Sequence, residues 1–354
     1  MEVFVRTSRP GSLLASLRAI QEILADIPLS FLATLMKGDE VTQLRRRLAA
    51  TTLVVLALSL ATSANATYPG TNGEIAYARY GGKSVPSTLR SVNPDGDPGR
   101  VLARPRVGLP DAEWSPDGTT VAMVLGKEPN RVVMLDVATG DRSLVIRSDD
   151  VPDTRFVESL GISPLGDAIV FCAVRKGSGA SLFTVGVDGS ALAQISGNRQ
   201  ECQPDWGPTD RIAAEAFGSG AKIVTMDPDG TNRVVVIAGR DADRSVIFSS
   251  PSWSPDGARI VVGATSVDER HPDLWIVNSD GSNLIALTDT PRRTEFAPVF
   301  SPDGTRIALL HIYAHEGYGM SDIFTMAVDG SDVQRLTDTP KRREFPRSWQ
   351  ALSP

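Results

Sequence analysis

The chain has 354 residues, 41% of them apolar and 22% charged, a balance ordinary for a soluble globular protein. Its 31 glycines and 24 prolines exceed the average but stay below the roughly 25–30% of a low-complexity chain, so the excess reads as turns. The net charge of −6 leaves no basic footprint, and no nucleic-acid partner is expected.

Residues 12–36, "SLLASLRAIQEILADIPLSFLATLM", show helical periodicity in places. From Met36 the pattern changes. Arg45, Arg46 and Arg47 form a positive segment, Leu48 to Leu60 an apolar core, and Ala64-Asn65-Ala66 a small-x-small site. The apolar run is short for a membrane span, which needs ~20 residues. The pattern predicts a secretory signal over 36–66, cleaved after Ala66, with a retained signal anchor as the alternative. Residues 1–35 are then an N-terminal extension, either an upstream start ahead of a true beginning at Met36 or a genuine cytoplasmic segment. Residues 67–354 form the mature domain, with 29 basic and 37 acidic residues and a net charge of −8. No membrane span after cleavage and a monomer are expected, in the cell envelope or outside the cell.

The mature part is written in repeats. "WSPDGTTVAMV" starts at Trp114, "WSPDGARIVV" at Trp253 and "FSPDGTRIALL" at Phe300, with weaker copies at Ile162 and Trp206. The fourth turn positions are Gly73, Gly118, Gly166, Asp210, Gly257 and Gly304, spaced 45, 48, 44, 47 and 47 apart. A second series alternates with them: Asp95-Gly96, Thr139-Gly140, Asp188-Gly189, Asp229-Gly230, Asp280-Gly281 and Asp329-Gly330. In each unit a strand ends at the aromatic, and Ser-Pro-Asp-Gly turns the chain: proline presets its φ and glycine supplies a positive one. A second strand returns, and a second hairpin follows with Asp-Gly at its tip. That makes four antiparallel strands.

The second strands, such as "TVAMVL", "RIVVGA" and "RIALLH", are near-continuous apolar runs, as expected of strands covered on both faces by stacked sheets. A period of 44–48 suits four-stranded propeller blades. The first unit begins at its turn, "PGTNGEIAYAR", and lacks an opening strand. The tail "REFPRSWQALSP" mirrors "TEFAPVFSPDG", and "LTDTP" precedes both. The C-terminal strand around Trp349 is therefore expected to complete the first blade. The fold class is all-β: a six-bladed β-propeller of four-stranded antiparallel blades, closed by that strand.

The WSPDG-x-x-I units and the "NSDGSNLIALT" hairpins resemble the PD40 (WD40-like) repeats of the TolB-type β-propeller family over nearly all of 67–354. The resemblance implies the fold, which serves many roles. It does not extend to the α/β domain that precedes the propeller in that family, because the repeats here start directly after the signal. Peptidases of the prolyl oligopeptidase group use related propellers, but with a hydrolase domain that is not expected here.

Chemistry is thinly marked. No G-x-S-x-G elbow, P-loop or G-x-G-x-x-G fingerprint occurs. The histidines are His271, His311 and His315. If the strand "RIALLHIYAH" continues, His311 and His315 stand ~13 Å apart, too far to share one ion. Oligogalacturonate lyases, propellers of related kind, depend on a histidine-rich metal centre that this chain does not match. No catalytic residue, cofactor or metal is assigned. Cys172 and Cys202 lie in neighbouring units, either as a disulfide or as two buried thiols. Glu201, Glu295 and Glu344 each stand five residues before an aromatic, placed either at the mouth of the central channel or as solvated loop carboxylates.

The tight turns share one end of the propeller, and the variable loops share the other. On that other end His271, Arg292, Arg293, His315, Tyr318, Arg342 and Arg343 are expected to gather as a binding face. The function expected is a non-catalytic scaffold for a protein or glycan partner. The alternative is a lyase- or hydrolase-type enzyme with its site at the channel.

Overall fold

The structure, a computed structural model, describes residues 69–352 apart from 81–86, 106–110, 127, 178, 198–199, 218–220, 239, 242–243, 267–272, 291–292, 314–320 and 340–341. The expected extension and signal segment lie outside these residues. Apart from one 3₁₀ turn at Ser148–Asp150, every described element is a strand. No helix among the described residues is long and apolar enough to cross a membrane.

The strands fall into four-stranded antiparallel units, one per repeat. The first contains β1 (Thr71–Tyr80), β2 (Thr88–Val92) and β3 (Pro98–Ala103). The second is β4 (Ala112–Trp114), β5 (Thr120–Leu125), β6 (Arg131–Asp136) and β7 (Arg142–Arg147). The third is β8 (Thr154–Ile162), β9 (Ala168–Arg175), β10 (Ala180–Gly186) and β11 (Ala193–Gln194). The fourth is β12 (Glu201–Trp206), β13 (Ile212–Ala216), β14 (Lys222–Met226) and β15 (Val234–Ala238). A short β16 (Arg240–Asp241) leads into the fifth, β17 (Arg244–Trp253), β18 (Arg259–Ser266), β19 (Asp273–Asn278) and β20 (Ile285–Ala286). The sixth is β21 (Arg293–Phe300), β22 (Arg306–Tyr313), β23 (Ser321–Ala327) and β24 (Gln334–Arg335). The last strand, β25 (Arg343–Leu352), pairs antiparallel with β1, setting Trp349 opposite Ile75.

The turn chemistry acts as its residues dictate. Gly118 has φ 68° and Asp210, its counterpart in the fourth unit, φ 56°, the left-handed region that Gly adopts freely and Asp tolerates. Asp117 Oδ1 accepts bonds from Ser115 Oγ and Thr119 N, locking the turn. The first unit differs. Gly73 lies inside β1 rather than in a turn. The strand before it is β25, which arrives from the far end of the chain, so there is no connection to turn.

Among the described residues, six clusters of buried apolar side chains join each unit to the next. One packs Trp114, Met123 and Leu89 between the first two units. Another packs Ile75, Tyr77 and Trp349 of the first unit against Ala308, Ile323 and Leu336 of the sixth. β13 is buried along its whole length, as a strand covered on both faces must be. A polar bond crosses the same seam, Asn72 Nδ2 donating to Asp303 Oδ2 at 2.9 Å, and within the first unit Trp349 Nε1 donates to Gly73 O at 3.0 Å.

Candidate functional site

β4, β8, β12, β17, β21 and β25 are the innermost strands of their units. Each touches the next, and β25 touches β4. All six line one cavity of about 440 Å³. Their free edges explain Pro204, Pro251, Pro298 and Pro346, each two or three residues before the aromatic. Proline cannot donate to a sheet neighbour and is tolerated on an edge.

β8, β12, β17 and β21 are bulged. Ser159, Gln203, Ser250 and Ala297 adopt φ of 33°, 49°, 49° and 50°, and the pairing register shifts beside each. A bulge adds one residue and reverses which side chains face which way. Side chains of one strand then bond the exposed edge of the next. Ser348 Oγ accepts from Trp114 N at 3.0 Å, and Asp111 Oδ2 from Leu160 N at 3.0 Å. Ser159 Oγ accepts from Gln203 N at 3.2 Å, Asp205 Oδ2 from Trp253 N at 2.6 Å, and Ser252 Oγ from Phe300 N at 3.3 Å.

The cavity is polarised. Asp111, Glu113, Glu158 and Asp205 stand on the second, third and fourth units, while Phe296, Pro298, Val299, Phe345 and Pro346 stand on the sixth and first. Arg347 Nη1 lies 2.9 Å from Asp111 Oδ1. Burial pushes Glu113 well above the usual carboxylate range; the charge of Asp205 adds to this, and a bond with Ser348 opposes it. Burial pushes Asp205 up to about 6, against the Trp253 N–H bond. Glu113 and Asp205 occupy equivalent positions on β4 and β12, and the strand between them has Gly161 there. With no side chain separating them, the two carboxyls feel each other and resist carrying two charges together. Burial, then the charge of Asp111, raises Glu158 as well.

The expected site residues fare unevenly. His271, Arg292, His315 and Tyr318 lie outside the described residues. Arg293 opens β21 and Arg343 opens β25, both strands that run on into the cavity, and Arg342 O accepts from Ser321 N next to that start. Glu201, Glu295 and Glu344 correct the expectation: they are neither at the channel mouth nor solvated, but 1%, 3% and 0% exposed. Glu201 pairs with Arg233 at 2.7 Å and Glu344 with Arg79 at 2.6 Å. Glu295 meets His311 Nδ1 at 3.1 Å. The reason is the bulge. It lies between the fifth and first positions before the aromatic, so Glu201 turns into the sheet stack while Asp205 stays in the channel. His311 is a buried strand residue whose ring packs on Phe324, 4.8 Å between centroids. Cys172 and Cys202 form a disulfide between the third and fourth units.

The channel acids Asp111, Glu113 and Asp205 were missed by sequence reasoning. The signal available was the proline two residues before the aromatic, in "CQPDW", "SSPSW" and "FAPVF", which marks a free edge.

No family model matches the chain. The Tol-Pal system protein TolB of Anaeromyxobacter dehalogenans (strain 2CP-C) is 37% identical over 118 residues, which is 33% of this chain and 24% of that protein. The match therefore spans about a quarter of the relative's length. The crystal structure of TolB from Acinetobacter baumannii superposes with a TM-score of 0.65 at 16% identity, covering 79% of this chain and 67% of that one. The structure of putative TolB from Agrobacterium tumefaciens gives 0.61 at 17% identity, covering 78% of this chain and 98% of that one.

Proposed function

We propose, starting from a chain that is a TolB-like β-propeller, that it is an exported, non-catalytic scaffold binding a protein partner of the cell envelope. Residues 36–66 direct export as a cleaved signal, and 67–354 are the working domain, six blades closed by the C-terminal strand. The partner docks on the loop end where Arg293, Arg342 and Arg343 stand at the inner strand starts, and projects a group into the cavity those strands enter.

The observation that carries this reading is the cavity itself. A walled space with a carboxylate side and an apolar side suits recognition of a polar segment with an apolar body. Three of its four acids already have structural bonds: Asp111 to Arg347 and Leu160 N, Glu113 to Ser348, and Asp205 to Trp253 N. The test is capture from envelope extract with the mature domain immobilised. Charge reversal at Arg342 and Arg343 should reduce recovery of the partner, and unchanged recovery would remove that face.

One observation favours a second reading. Glu113 and Asp205 form a carboxyl pair with raised proton affinity, the arrangement that general acid–base cleavage of glycans uses. Purified protein would then depolymerise an envelope or extracellular polysaccharide, and Glu113→Gln would abolish that activity. A scaffold shows no turnover to abolish.

A further inference from the structure

Two buried cysteines meet Glu158, which lines the cavity. Cys172 of β9 stands directly opposite Glu158 of β8. Cys202 comes from the next unit, on β12, four residues before its aromatic, as Glu158 is four before Ile162. The disulfide joins the two units with Cα atoms 5.0 Å apart. Glu158 Oε1 lies 3.2 Å from Cys202 Sγ and 4.0 Å from Cys172 Sγ. All three donor atoms lie within 4.8 Å of one another.

A bond that only pins two blades has no use for a carboxylate. A disulfide sulfur carries no proton to donate, so Glu158 gains nothing from the contact. Among the described residues Glu158 has no basic partner; the neighbouring charge that acts on it is that of Asp111. The arrangement makes sense for the reduced state. We propose that reduction of Cys172–Cys202 creates a zinc site, in which the two thiolates and the Glu158 carboxylate hold one Zn²⁺ and the fourth position opens to the cavity.

The chemistry balances. A dithiol reductant gives two electrons and two protons to the disulfide, leaving two thiols and becoming a disulfide itself. The cation then displaces the two thiol protons to solvent. Two thiolates favour zinc over calcium or magnesium, which take oxygen ligands. Zn–S bonds of about 2.3 Å in tetrahedral geometry set the sulfurs about 3.8 Å apart. The oxidised bond excludes the ion, because neither sulfur is then a thiolate. Three protein ligands with one open position is the pattern of an accessible zinc site rather than a closed structural one.

The mature protein is compared oxidised and after anaerobic treatment with a phosphine, which does not compete for metal, and is titrated with Co²⁺ as a spectroscopic stand-in. The reduced protein should bind one Co²⁺ per chain with a thiolate-to-cobalt charge-transfer band that Zn²⁺ bleaches. The oxidised protein and Cys172→Ser should show no band. Glu158→Gln should weaken Co²⁺ binding at least tenfold. A reduced, folded protein without the band, or Glu158→Gln binding as tightly as wild type, overturns the proposal. So does loss of β-sheet circular dichroism on reduction, which would make the bond purely structural.

Discussion

Trp349 is the side chain through which the two ends of the propeller are joined, and replacing it should be costly. Its indole is 2% exposed and packs among Ile75, Tyr77, Val92, Ala308, Ile323 and Leu336. Its Nε1 donates to Gly73 O at 3.0 Å. A buried Trp→Ala change costs about 3–5 kcal/mol from lost transfer energy and the cavity left behind. Leaving the Gly73 carbonyl without its donor adds about 1 kcal/mol. Trp349→Ala should therefore lose about 4–6 kcal/mol, a large part of the roughly 5–15 kcal/mol that holds a typical domain folded. Trp349→Phe keeps a ring in the cluster but loses the N–H, and should lose about 1–3 kcal/mol. Urea unfolding followed by circular dichroism reads both. A loss below about 1 kcal/mol for Trp349→Ala would mean that β25 is not held in the first blade as the packing implies.

Other perturbations follow from the same physics. Burial pushes Glu215 up to about 7 from 4.5. The folded chain thus binds its proton more tightly than the unfolded one, so this contribution to stability is full below about pH 4.5 and is lost as pH rises to about 7. Linkage puts the loss at roughly 3 kcal/mol, and Glu215→Gln should remove that slope from a pH series of unfolding curves. Arg79→Ala would strand the fully buried Glu344 without its 2.6 Å partner. It should cost about 3 kcal/mol, and Glu344→Gln in the same background should restore part of it in thermal melts. Removing the disulfide, which closes a separation of 30 residues, should cost roughly 3–4 kcal/mol by the chain-entropy estimate, read as the shift in urea midpoint between wild type and Cys172→Ser/Cys202→Ser.

The turns were the legible part of the sequence. Ser-Pro-Asp-Gly and Asp-Gly carry their geometry in their own residues, and the positive φ of Gly118 and Asp210 follows locally. The mirrored tail likewise identified β25 and its pairing with β1, because the strand repeats the pattern of β21. The inner-strand bulges were not legible in the same way. Ser159, Gln203, Ser250 and Ala297 adopt left-handed conformations that their residue types do not advertise. Each bulge breaks the two-residue alternation, so Glu201, Glu295 and Glu344 are buried in the sheet stack instead of lying at the channel mouth or in solvent. The channel acids share no fixed residue type around the ring, with Glu113, Gly161, Asp205, Ser252, Val299 and Ser348 at equivalent positions. A motif search passes over such a set, and only the folded ring brings it together.

A partner docked as proposed engages the loop end and the channel beneath it. Hydrogen–deuterium exchange of the mature domain, alone and saturated with the captured envelope partner, tests it directly. Exchange should slow in 343–349 and 203–206, with the outer strand 142–147 unchanged. Protection confined to the outer strands, with the inner strands exchanging as in the free protein, would contradict it.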